Sequence, residues 1–191
     1  MAASTDQLNI TAKVFCAELP LADESTALLK DELSVPEFLN VLIEHQRWID
    51  AVQLLTRMMP PREGVWWAVQ CVASSLTPEA RPQELAALKA AETWVTDMTE
   101  VSRYAAFEAA KKARLGSSAN CAAMAAFLSG PSLAPLGSDL VPPPPDFPAQ
   151  MVAGTVMAAG FSAGHEQSPA KLSYFLGQGK ALYEQVTASS T

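Results

Sequence analysis

The sequence predicts an all-α fold, an irregular bundle of about eight or nine helices crossed by a proline-rich strap. Three observations predict it. Alanine is abundant and β-branched runs are rare, which favours helix. Apolar residues recur at three- and four-residue spacing in one segment after another, several of them opened by a Ser, Thr or Pro start signal. Prolines are concentrated elsewhere: seven of the fourteen lie between residues 130 and 148, with Pro142 to Pro145 in a row. That stretch cannot be helical and should cross the surface as a polyproline-like strap.

At 191 residues the chain suits a single helical domain, 1–191, and a chain of that length buries roughly 70% of its unfolded surface. A hydrophobic content of 49% with 17% charged residues excludes a disordered chain. The net charge of −7 argues against nucleic-acid binding through a basic face. Cys16, Cys71 and Cys121 are odd in number, far apart and without a C-x-x-C, so they read as small buried hydrophobes in a reducing compartment. No signal-peptide pattern opens the chain, and no apolar run reaches the length of a membrane span. The expectation is a cytoplasmic protein without a membrane segment.

Taken in order, residues 1–20 form a polar leader whose Ile10, Val14, Phe15 and Leu19 suit either an extended segment or a short helix. Residues 22–33 follow, a short helix opened by Asp23 and Glu24. Ser34 is an N-cap with Pro36 and Glu37 in the first turn, and Phe38, Leu39, Leu42 and Ile43 then recur at helical spacing. Trp48 to Met59 is an amphipathic helix ended by Pro60. Pro61 opens the next helix at a position where its missing N–H costs nothing, and Glu63 suits the positive end of the helix dipole. Val65, Trp66, Trp67, Val69, Cys71 and Val72 make this helix, stopped by Thr77-Pro78, apolar over most of its circumference, which marks it as central.

Residues 84–95 and 100–115 repeat the pattern, the second capped by Thr99, with Lys111 and Lys112 near its C-terminus and Gly116 at the left-handed position beyond. Ser117 or Ser118 caps a small-residue helix to Leu128, whose alanines let neighbouring backbones approach. After the strap come an apolar helix over residues 149–159 and a last one over residues 170–186, capped by Ser168-Pro169. No 34- or 40-residue repeat holds register, so a solenoid is not supported.

Residues for catalysis are sparse, and the chain reads as a non-enzyme without metal or cofactor. His45 and His165 are the only histidines, and neither belongs to an H-E-x-x-H metal motif. Gly177-Gln178-Gly179-Lys180-Ala181 fails as a phosphate loop: Tyr174 stands where its first glycine belongs, and Ala181 replaces the metal-holding hydroxyl. The stronger signal is charge. Between Glu18 and Asp50 eight acids face two bases, a net −6. Of these, Asp23, Glu24, Asp31, Glu32, Glu37, Glu44 and Asp50 are the candidate contacts for a basic partner, weighed against the plainer reading of a solvated face.

The stretch Met59-Pro60-Pro61-Arg62-Glu63-Gly64-Val65-Trp66-Trp67-Ala68-Val69-Gln70-Cys71-Val72 resembles the hallmark of an uncharacterised bacterial family classed as a domain of unknown function. Further similarity lies in Ala91-Glu92-Thr93-Trp94-Val95, in Arg103 with Ala105-Ala106, in Phe127 to Pro135, and in Val141-Pro142-Pro143-Pro144, so it covers about residues 40 to 185. Pro131 departs from it, standing where the family tends to have a second glycine. Members of that family are often encoded beside type VI secretion components and their toxins. The resemblance therefore implies either an immunity protein that neutralises a cognate toxin such as a nuclease, or a chaperone or adaptor that loads an effector onto the secretion spike. Within the signature, Trp66, Trp67 and Trp94 are expected in the core, and Arg62 with Glu63 as a buried or half-buried polar clamp between helices.

Overall fold

A computed structural model describes residues 10–77, 79–135, 137–162, 164 and 166–189. The sequence readings of residues 1–9, Pro78 and His165 lie outside this range. Among the described residues the chain forms ten helices and no strand. They are α1 Ala12–Phe15, α2 Asp23–Thr26, α3 Val35–Glu44, α4 Trp48–Met58, α5 Pro61–Ala73, α6 Pro82–Asp97, α7 Glu100–Lys112, α8 Ser118–Leu128, α9 Phe147–Phe161 and α10 Ser168–Ala188.

The start signals act as their chemistry requires. Ser34 accepts from the Glu37 N–H while the Glu37 carboxylate accepts from the Ser34 N–H, a reciprocal capping box that fixes the start of α3. Thr99 caps α7 through the Ser102 N–H, and Ser117 caps α8 through Asn120. Prolines stand in the first turn of α3, α5, α6, α9 and α10, where no intrahelical N–H is needed.

Two boundaries differ from the sequence reading, and the leader takes one of its two open forms. The helix expected over residues 22–33 closes after one turn at Thr26, because Leu28 and Leu29 continue as turns rather than an i→i−4 ladder. The described part of the leader contains the single turn α1, tied to the segment before α3 by the Ala12 N–H donating to Leu33 O. Ser168 does not cap α10; it sits inside the first turn and donates its hydroxyl to Gly164 O.

Helix α8 is the most enclosed element. Eight of its eleven residues are buried, and its alanines let α6, α7 and α9 pack against it. Helix α5 lies beside it, between α6 and α9, with Val65, Trp67, Val69 and Val72 buried. Helix α10 closes the other side across α4, α5 and α9. One buried cluster runs from Ala12 through Phe38, Leu54, Trp67, Trp94 and Ala123 to Leu176.

Helix α10 approaches α5 closely at Gly179. A Cβ there would stand 2.5 Å from Trp67 Cε2 and 2.9 Å from Leu55 Cδ2, so only glycine lets α10 lie against the indole. Trp67 in turn donates its Nε1–H to Phe175 O at 2.9 Å, which satisfies the one polar atom of a buried ring. The glycines of the rejected phosphate-loop pattern thus lie inside a helix, and Gly179 is there for packing.

Candidate partner-binding face

Helices α1 to α4 carry the acidic segment to one part of the surface. Asp23, Glu24, Asp31, Glu32, Glu37 and Glu44 are all exposed. Besides Asp50, three of the eight acids counted between Glu18 and Asp50 are already engaged. Asp31 pairs with Lys13 at 2.7 Å, Glu18 approaches Arg57 at 3.7 Å, and Glu37 serves the capping box, where the Ser34 hydroxyl holds its carboxyl below the usual range. Asp23, Glu24, Glu32 and Glu44 make no ion pair among the described residues.

Asp50 differs from the other six candidate contacts. It is 6% exposed and accepts a short hydrogen bond from the Ser25 hydroxyl, itself fully buried. The pair joins α2 to the first turn of α4, so this carboxylate helps to hold the acidic face in place.

The tryptophan signature divides. Trp67 and Trp94 are core, at 2% and 3% exposure, while Trp66 is only half-buried. Arg62 does bridge helices: its Nε donates to Val95 O, near the end of α6, at 2.8 Å, and its Nη1 lies 3.5 Å from Glu63 Oε1. The guanidinium remains about half exposed, so the clamp sits at the rim of the core. Arg62, Glu63 and Trp66 also line a groove with Leu182 from α10.

A different arginine is the buried one. Arg103 is 1% exposed, sends Nε and Nη2 to the two oxygens of Glu100 at 2.7 and 2.6 Å, and donates Nη1 to Phe127 O at 2.7 Å. Its guanidinium also stacks on the rings of Tyr104 and Phe127, with centroids at 4.7 and 4.9 Å. Burial works against its charge, but the hydrogen bonds and charge of Glu100 outweigh this and raise its pKa; the same bonds hold Glu100 low. A Cβ on Gly130 would meet Arg103 Cδ at 2.2 Å. The turn after α8 therefore closes over the guanidinium only because residue 130 has no side chain.

The cysteines are not poised for chemistry. Burial pushes Cys16 up to about 11 and raises Cys71 and Cys121 as well, so the thiolate is disfavoured at neutral pH. His45 is exposed at the end of α3. No cluster of potential metal ligands occurs among the described residues, nor is any helix there long and apolar enough to cross a membrane.

Next to the acidic face lies a groove of about 300 Å³ between the start of α4 and the α9–α10 connection. Trp48, Ile49, Phe161, Pro169 and Leu172 form its apolar wall, and Arg47 enters it. Arg47 follows Gln46, which takes a left-handed conformation at φ 57° to turn the chain from α3 into α4. The Arg47 Nε is buried with no hydrogen-bond partner, and the guanidinium makes no ion pair among the described residues. Leaving such a donor unmet costs about 1–3 kcal/mol. Nothing in the local sequence pattern signals this. Glu44 and Asp50 stand three residues either side of Arg47, the spacing of helical ion pairs. The turn at Gln46 breaks the helix between Glu44 and Arg47, and Ser25 takes Asp50.

Residues 38–183 match the family of unknown function DUF6931. The chain belongs to that family. The DUF6931 match takes in the tryptophan signature, the Arg103 staple and the strap, and begins after α1, α2 and five of the seven candidate contacts. No curated protein and no solved structure matches the chain.

Proposed function

We propose that this chain is an immunity protein that binds and neutralises a cognate type VI secretion toxin by direct contact, and that the toxin is a basic protein such as a nuclease. The observation that carries the reading is the exposed acidic surface of α2, α3 and the segment between them. Asp23, Glu24, Glu32 and Glu44 project there without intramolecular ion pairs, so their field is available to a partner. A nuclease binds its substrate with basic side chains, and an acidic protein that covers them blocks the enzyme without chemistry of its own. The test is co-expression with a candidate toxin domain expressed alone. An immunity protein restores growth and forms a tight one-to-one complex.

A second reading, an adaptor that loads an effector onto the secretion spike, is favoured by the strap. Leu140 and Val141 are 75% and 51% exposed there, an apolar site outside the bundle. Loss of secretion on deleting the gene, with no protection against the toxin, would establish the adaptor and overturn immunity.

A further inference from the structure

We infer that the groove between α4 and the α9–α10 connection is the anchor pocket of the partner interface. Its occupant is an apolar side chain, of phenylalanine or leucine size, carried on a lysine- or arginine-rich segment of the partner. The inference rests on the proposed basic partner and adds what holds it in place. Charge steers an encounter, whereas a stable interface needs a desolvated apolar centre inside a polar rim.

The groove has that layout. Ile49 and Phe161 are 47% and 44% exposed on its wall, beside the half-buried Trp48, and these are larger apolar surfaces than a solvated helix start requires. Its volume, about 300 Å³, accepts one large side chain. Four exposed carboxylates lie within two residues of its lining: Asp23 and Glu24 after Ala22, Glu44 before Gln46, and Glu166 before Ser168. Against them stand Arg47 and Lys171, so the rim is acidic and selects a basic segment. Lys171 is turned away to Ser162 and the ring of Phe175.

Arg47 has a distinct task. Its side chain lines the groove while its unmet Nε–H is buried behind that wall, so a turn of the side chain toward the groove lets it donate to a backbone carbonyl beside the inserted side chain. A neutral acceptor suits it better than a carboxylate, since Asp50 lines the same groove and the rim repels anions.

Three short synthetic peptides, measured by fluorescence anisotropy on the full chain, test this. One has a central Phe flanked by lysines, the second replaces that Phe by Ala, and the third keeps Phe but is flanked by glutamates. The lysine–Phe peptide should bind about tenfold tighter than the lysine–Ala peptide. That margin should vanish in Ile49→Ala and Phe161→Ala, which are exposed enough to leave folding intact, and should shrink in Arg47→Met. Equal binding of both lysine peptides overturns the anchor pocket while leaving the basic partner standing. Tighter binding of the glutamate–Phe peptide overturns the basic partner, and with it this occupant. If the chain alone dimerises in sedimentation and Ile49→Asp makes it monomeric, the occupant is a second copy and the inference falls.

Discussion

Arg103 shows how one side chain can dictate the residue at a distant turn. The guanidinium fills the space above Gly130, and its Nη1 bond to Phe127 O prevents it from moving aside. Gly130→Ala should therefore cost about 1–3 kcal/mol, read as a lower urea midpoint with unchanged slope. Arg103→Met should cost a similar amount, about 2 kcal/mol, by leaving the Phe127 carbonyl with only the long contact from the Gly130 N–H at 3.4 Å, whereas the released Glu100 can turn to water. In the double variant the clash term disappears, so the two losses should not add. The same pair gives a pH dependence. Glu100 is held below the usual carboxylate range by its hydrogen bonds to Arg103, so its folded pKa lies under its unfolded one. Its contribution is complete above the ordinary value, near pH 4.3, and disappears as pH falls through the folded pKa. Thermal melts should show stability falling below about pH 4, with a shallower fall in Glu100→Gln. The effect is small, because Glu100 is 42% exposed and solvent screens the pair.

At the scale of helices, the sequence made most of the fold legible wherever a local signal coincided with packing. Ser34, Thr99 and Ser117 were readable as caps because capping is decided within four residues. The single-turn α2 was not, since Ala27, Leu28 and Leu29 are good helix formers that the tertiary structure places in turns. Nor could periodicity find the dominance of α8, whose alanines are apolar on every side and give no preferred face. Gly179 shows packing overruling propensity. Alanine in mid-helix would ordinarily gain about 1 kcal/mol over glycine. Here the added methyl meets a fully packed, hydrogen-bonded indole at 2.5 Å. Gly179→Ala should therefore lower stability by about 1–2 kcal/mol net, measured by thermal melting, and its opposite sign to the helix scale is the check. Gly177 has nothing within 4 Å, so Gly177→Ala should instead stabilise the protein.

For the whole molecule the question is whether the charge acts as a patch or merely as a total. The acidic segment was visible in sequence as a count, but a count does not say which carboxylates are free. The fold leaves Asp23, Glu24, Glu32 and Glu44 without ion pairs while Asp31 and Glu37 are tied to Lys13 and Ser34, and Asp50 is buried. The decisive comparison is between two double reversals of equal charge. Asp23→Lys with Glu24→Lys alters the proposed face, and Glu79→Lys with Asp139→Lys alters exposed acids outside it; each moves the net charge from −7 to −3. If the patch steers the partner, the first pair should slow association about three- to tenfold at low salt and leave dissociation nearly unchanged. The second pair should have a much smaller effect, and high salt should erase the difference, because exposed charges are screened beyond about 8 Å at physiological ionic strength. Equal slowing by both pairs in stopped-flow would mean that only total charge matters, and the acidic face would lose its claim to be the interface.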